Sequence, residues 1–194
     1  MPFALPCVIF AGGRSSRMGR DKALLPFGGC ATLAEYQFRR LSPLFPSLYI
    51  SAKADKFPFK APLIEDIPSE GGHAPTLGLL AAFGKLENDF FALSVDAPFV
   101  DAGVLETLFE VYGKEKADAY IARTPSGSHP MCGIYTRRME PILSKAVAAG
   151  EHKLHRLLEQ VNTRYVDFDD ERLFYNMNRP GEYEEAMRIV SGKQ

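Results

Sequence analysis

The sequence contains no tryptophan and only three cysteines among 194 residues. Cys7, Cys30 and Cys132 are odd in number, far apart and without a C-x-x-C pair, which fits neither a disulfide framework nor a zinc site. Each reads as a buried or partly buried thiol. A surplus of one charge is missing as well. The net charge of -1 argues against a sequence-independent hold on nucleic acid, which needs Lys and Arg in excess facing the phosphates. The apolar runs are all short, and MPFALPCVIFAGG has no basic stretch ahead of its apolar residues, so neither a membrane-spanning helix nor a signal peptide is expected. A soluble, cytoplasmic protein without membrane partners is the expectation. Two phosphate-binding signatures are absent. Gly19 is followed by Arg20, so there is no G-x-x-x-x-G-K-[ST], and no G-x-G-x-x-G follows the first apolar run. P-loop hydrolases and dinucleotide-dependent dehydrogenases thereby lose ground. Internal repeats, heptads and low-complexity tracts are lacking too.

What is present is an ordinary globular composition, 46% hydrophobic and 24% charged, in a chain of a length that buries one core. A single domain over residues 1–194 is expected. Cys7 to Phe10 is a short apolar run that stops at a glycine pair, the pattern of a buried strand feeding a loop. Periodicity predicts a helix of about three turns from Leu33 to Leu41, strands over 48–50 and 62–64, and a helix over 76–86. FFALSV, 90–95, is nearly continuous in apolar character, as in a central parallel strand covered on both faces. Helix 102–112, strands 117–122 and 130–135, helices 138–149 and 152–160, a strand near 164–168 and a last helix from Gly181 complete the series. This alternation is that of a three-layer α/β/α fold with a mostly parallel mixed sheet. The stretch 67–75, IPSEGGHAP, has the length and composition of an active-site loop.

Ligands of open α/β sheets sit beyond the carboxyl ends of the strands. The segment leaving the first strand, FAGGRSSRMGRDK from Phe10 to Lys22, is therefore placed to meet one. Gly12 and Gly13 carry no Cβ and let backbone N–H groups approach an anion. Arg14, Arg17, Arg20 and Lys22 put four cations within nine residues, and Gly12, Gly13 and Gly19 interrupt any helix that could display them as a solvated face. A phosphate-cradling loop for a nucleoside triphosphate accounts for them. Magnesium is held by one or two carboxylates together with phosphate oxygens and water, and Asp96, at the end of FFALSV, is the best single candidate. Asp101 has instead the position of a helix N-cap.

The loop resembles the signature of the Rossmann-like nucleotidyltransferases, and its glycine pair with R-M-G and D-K is most similar to the molybdenum cofactor guanylyltransferase branch. The likeness continues through IED at 64–66, VDAPF at 95–99, HP at 129–130, EPIL at 140–143, AG at 149–150, VDF at 166–168 and NMNRP at 176–180, nearly the whole chain. Phe10 stands for the usual Leu, Ser51 for a frequent Asn, and GGHAPTLGLLAAF for a GPLAG-type segment.

The resemblance implies a Mg2+-dependent enzyme that transfers GMP from GTP to the terminal phosphate of molybdopterin, releasing pyrophosphate. It implies a nucleotide site at Phe10, Ala11, Gly12, Gly13, Lys22, Ser51, Asp66 and Asp96, with Asp96 as the metal ligand and Arg17, Lys22 and Asp96 as the catalytic set. Asn176 and Asn178 either serve the molybdopterin side or form an Asn-rich turn capping the helix near Pro180. Asp66 has a turn-forming alternative. His129 either lines the molybdopterin site or is a loop histidine without a ligand role. His152 and His155 have a spacing that permits joint metal binding, and we read them as solvated or partner-facing. Arg39-Arg40 and Arg137-Arg138 read as helix-face charges. Contacts with molybdoenzymes or a cofactor-insertion protein are partner candidates. A sibling transferase using CTP or a sugar phosphate is an alternative, as is a non-catalytic nucleotide- or cofactor-binding adaptor.

Overall fold

The computed structural model describes residues 3–12, 19–68 and 74–192. Seven strands form one sheet in the order β3-β2-β1-β4-β6-β5-β7. They are β1 (Cys7–Phe10), β2 (Leu48–Ala52), β3 (Leu63–Glu65), β4 (Phe90–Ser94), β5 (Ala119–Thr124), β6 (Gly127–Tyr135) and β7 (Thr163–Asp167). All neighbours pair in parallel except β6, which runs antiparallel to both β4 and β5. The expected mostly parallel mixed sheet is thus what forms.

The helices are α1 (Leu33–Leu41), α2 (Pro75–Lys85), α3 (Ala102–Lys114), α4 (Met139–Ala148), α5 (Leu154–Glu159) and α6 (Pro180–Ser191). Strand side chains alternate between the faces of the sheet, which produces two cores. Cys7, Ile9, Phe91 and Leu93 pack with Leu33 and Leu41 of α1, Leu105 and Leu108 of α3, and Ala186 of α6. Val8, Phe90 and Ala92 pack with Leu79 and Phe83 of α2, Leu143 of α4 and Leu157 of α5. Helices therefore cover both faces, and the near-continuous apolar runs of β1 and β4 follow from burial on two sides.

Local signals set the helix starts. Asp101 accepts a hydrogen bond from the Val104 amide at 3.1 Å, as its N-cap position suggests. Thr32 caps α1 by accepting from the Glu35 amide at 3.1 Å, and the Glu35 carboxylate accepts from the Ala31 amide at 3.1 Å. α2 begins one residue earlier than its apolar pattern indicates because Pro75 occupies its first turn, where a missing N–H costs nothing.

One arginine of each pair departs from the helix-face reading. Arg40 is turned inward. Its Nη1 donates to the Val100 carbonyl at 2.6 Å and its Nε to Gln37 at 2.6 Å, and burial lowers its pKa. Arg137 lies ahead of α4 and donates through Nη1 to the carbonyls of Phe83 and Leu86 at 2.8 and 2.7 Å, capping the end of α2. In both cases the guanidinium satisfies backbone carbonyls that a helix end or loop leaves exposed. Arg39 and Arg138 remain surface side chains paired with Glu35 and Asp118.

β1 lies between β2 and β4, so the chain builds outward from it in both directions and the carboxyl end of β1 is the switch point where a crevice opens. No helix among the described residues is long and apolar enough to cross a membrane.

Candidate active site

The floor of the crevice is set by strand register. Phe10 pairs with Ser51 on one side and with Ser94 on the other, so the carboxyl ends of three strands stand side by side. Asp66 follows β3, with its amide bonded to the Ala52 carbonyl at 3.0 Å. The Ser51 hydroxyl donates to Asp66 Oδ1 at 2.5 Å. Gly12 passes beside this carboxylate so closely that a Cβ there would lie 2.3 Å from Asp66 Oδ2. Gly78 of α2 is needed on the opposite wall, where a Cβ would meet the Phe10 ring and Ser51 Oγ, both at 3.0 Å. The result is a recess of about 570 Å³ lined by Phe10, Gly12, Asp66, Leu77, Gly78 and Met131. Among the described residues its walls are mostly apolar and it holds one carboxylate, a combination suited to a flat heterocycle with hydrogen-bond donors on its edge.

Asp96 stands two residues beyond β4. Its Oδ1 accepts from Ser94 Oγ at 2.5 Å, and its Oδ2 is ion-paired with Lys22 Nζ, both side chains being about one-seventh exposed at 13% and 14%. The same ammonium donates to Asn178 Oδ1 at 2.9 Å. The Met177 amide bonds the Asp96 carbonyl at 3.2 Å, which ties the NMNRP segment to the end of β4. Asn178 is held in turn by Glu182, whose carboxylate accepts from the amides of Asn178 and Arg179 at 2.6 and 2.9 Å. The segment leads into α6, whose N-cap is Arg179 and not an asparagine, and Asn176 and Asn178 line a cleft.

That second cleft, about 720 Å³, is bounded by Asp96, His129, Met131, Phe174, Asn176 and Asn178. Ser94 and Met131 border both it and the first recess. Two recesses therefore meet at the end of β4, and Asp96 lines the second of them beside the shared Ser94. His129 stacks on Phe174 with ring centroids 4.6 Å apart and 18° between planes, and its Nε2 lies 3.0 Å from Thr124 Oγ1. Burial holds its pKa below the usual value, offset by Glu171 and reinforced by His155.

Sequence reasoning missed Lys56. From the connection between β2 and β3 it donates to the Ala11 carbonyl at 3.0 Å and pairs with Asp21 Oδ2 at 2.5 Å. Lys53, on the rim of the first recess, was also missed. Both lie in a polar stretch with no motif, so only the fold reveals what they face. His152 and His155 do not converge. His152 Nδ1 is 2.8 Å from Thr76 Oγ1 and His155 Nδ1 is 3.2 Å from Ser128 Oγ. Among the described residues no group of three or more His, Cys, Asp or Glu side chains is placed to hold a metal ion. Gly13 and Arg17, expected at the nucleotide site, and His73 of the 67–75 loop lie outside the described residues. All three cysteines are free, and burial pushes the thiol of Cys132 up to about 12 and that of Cys7 higher still.

Comparison with known proteins adds four findings. The family model described as the MobA-like NTP transferase domain matches residues 7–165. The molybdenum cofactor guanylyltransferase of Campylobacter jejuni is 35% identical over 181 residues, covering 93% of this chain and 94% of that protein. The enzyme of that name from Helicobacter pylori is 30% identical over 193 residues, covering 96% and 90%. Among solved structures, molybdopterin-guanine dinucleotide biosynthesis protein A from Archaeoglobus fulgidus superposes with a TM-score of 0.84 at 24% identity, over 97% of this chain and 100% of that one.

Proposed function

We propose, from the premise that this chain belongs to the MobA-like NTP transferase family, that it transfers GMP from GTP to the terminal phosphate of molybdopterin and releases pyrophosphate. The observation that carries this reading is the Lys22–Asp96–Asn178 cluster beside the second recess, bonded through Asp96 to Ser94, which borders both recesses. A two-substrate transfer needs both reactants held in line at one point, with cationic groups against the charge that gathers there.

The nucleotide occupies the first recess. Its base lies against Phe10 and the backbone of Ala11 and Gly12, and its triphosphate runs along the loop of Gly13, Arg17 and Lys22. Guanine presents an N–H and an amino group side by side on its pairing edge, two donors for the Asp66 carboxylate. Ser51 takes only one lone pair of Oδ1, so both oxygens keep acceptor capacity for the two donors. Cytosine offers a single amino donor, so the acceptor count favours GTP.

Molybdopterin enters the second cleft along Asn176 and Asn178. An oxygen of its terminal phosphate attacks the GTP α-phosphorus, and the bond to the β-phosphate breaks as pyrophosphate departs. The attacking phosphate is already ionised near neutral pH, so no general base is required. Lys22 and Arg17 carry charge opposite to that of the transition state. Asp96 fits a magnesium site of the one-carboxylate kind, because its Oδ2 already accepts a cation, the Lys22 ammonium. Mg2+ bound there would neutralise phosphate oxygens. As Lys22 turns to the triphosphate, Asp96 keeps its Ser94 hydrogen bond and stays oriented.

Thermal shift with each triphosphate in Mg2+ tests the nucleotide assignment. GTP at 100 times its Kd adds about 2.7 kcal/mol of stability. CTP, ATP and UTP at equal concentration should add much less, and equal shifts from all four would reject the guanine assignment.

A further inference from the structure

We infer that Lys56 is a positioning residue for the nucleotide, a clasp across the two stems of the phosphate-binding loop that fixes where Lys22 stands. The inference rests on reading that loop as the triphosphate site. Ala11 follows the end of β1 on one side of the loop segment, and Asp21 opens the 3-10 turn Lys22–Leu24 on the other. Lys56 holds both ends, the first by the Ala11 carbonyl at 3.0 Å and the second by Asp21 Oδ2 at 2.5 Å.

Asp21 is fastened at its other oxygen too. Oδ1 accepts from the Ala23 amide at 3.0 Å, capping the short 3-10 turn Lys22–Leu24. One carboxylate thereby links Lys56 to the turn that carries Lys22. With side-chain exposures of 28% and 34%, the Lys56–Asp21 pair is half-sheltered, so its geometry is held better than that of a fully solvated ion pair.

Nine residues separate Ala11 from Asp21. The shared core packing of Ala11 and Ala23 and the Lys22–Asp96 pair also join the two stems, and without the clasp more of their ordering would be left to the ligand. With it, part of that ordering is complete before the triphosphate arrives, which raises affinity without a new ligand contact. The identity of Asp21 in the R-D-K sequence has the same explanation. It must be acidic to meet Lys56 and short to cap the turn. Lys60, exposed in the same connecting segment, provides a control of equal charge.

The experiment compares GTP binding with Mg2+ by calorimetry for the wild type, Lys56→Met, Lys56→Arg, Asp21→Asn, the Lys56→Met/Asp21→Asn double variant and Lys60→Met. Lys56→Met and Asp21→Asn should each weaken GTP about tenfold, the double variant should be no worse than the weaker single one, Lys56→Arg should recover most of the loss, and Lys60→Met should match the wild type. KM for GTP should rise while KM for molybdopterin stays put. Multiplying effects in the double variant would mean that Lys56 touches the triphosphate on its own account and would overturn the clasp. So would a fall in Tm with unchanged GTP affinity.

Failure of the wild type to bind GTP would refute the nucleotide reading instead. The clasp is then still judged by amide hydrogen exchange in the nucleotide-free protein. Lys56→Met should accelerate exchange at residues 19–24 several-fold, and unchanged exchange there would reject it.

Discussion

Gly12→Ala adds one methyl group, and the structure says what that methyl meets. Its Cβ would lie 2.3 Å from Asp66 Oδ2, with Ala52 Cα at 3.8 Å as the next contact outside Asp66. Gly12 is not among the glycines with positive φ, so alanine suffers no backbone penalty and the cost is purely the collision. The carboxylate must retreat by roughly 1 Å to reach ordinary contact. To do so it gives up its 2.5 Å bond from Ser51. A hydrogen bond to a charged group is worth about 1.5–3 kcal/mol, but a half-exposed Asp66 that swings away regains water. The folded state should therefore lose only about 1 kcal/mol. Binding suffers more, because the Asp66 carboxylate leaves its place in the recess, and a loss of about 1.4–2.8 kcal/mol corresponds to roughly 10- to 100-fold in Kd for GTP. Calorimetric titration of Gly12→Ala, Asp66→Ala and the double variant isolates the cause. With Asp66 removed, the new methyl has only an ordinary contact, so Gly12→Ala should change GTP affinity little in that background. An equal loss in both backgrounds would refute the collision argument, as would wild-type affinity in the single variant.

Asp96→Asn should reduce turnover at least ~100-fold with a change in Tm of a few degrees at most, and excess EDTA should abolish turnover of the wild type; pyrophosphate release assays read both. Lys22→Ala strips Asp96 of its partner and should cost about 1–3 kcal/mol of stability in urea unfolding, as well as raising KM for GTP. The pKa of His129 is depressed in the folded protein, so the unfolded chain takes up its proton first as pH falls. Stability should decline from about pH 6.5 downward until the folded pKa is passed, and His129→Gln should flatten that part of the profile of Tm against pH. Glu182→Ala releases the amides of Asn178 and Arg179. It should lower stability by about 1 kcal/mol and raise KM for molybdopterin more than KM for GTP, which steady-state kinetics with each substrate varied in turn would show.

Much of this site was legible before the fold. A run such as CVIF stopping at a glycine pair announces a strand end, and strand ends in α/β sheets are where ligands lie. That logic placed Phe10, Gly12 and Asp96 together, and the register of β1 with β2 and β4 agrees. Asp101 was readable as a cap because capping depends only on residues three apart.

Pairings set by tertiary approach were not readable. Lys22 and Asp96 are 74 residues apart, and no local pattern couples them. Lys56 looks like any solvated lysine until the connection between β2 and β3 is folded against Ala11 and Asp21. Arg40 follows Arg39 in what looks like a charged helix face, yet a carbonyl 60 residues away draws it inward. Periodicity reports which side of a helix is apolar and is silent about a polar group that finds a carbonyl there.

The central claim is transfer of a guanylyl group between the two recesses. It is tested most directly by incubating the protein with Mg2+, molybdopterin and GTP labelled at the α-phosphate, then following label and pyrophosphate together. The account requires label in a molybdopterin–guanine dinucleotide with one pyrophosphate released per product, and loss of both in Asp96→Asn. Tight GTP binding by the wild type without transfer of label would contradict it and would make the protein a binding module.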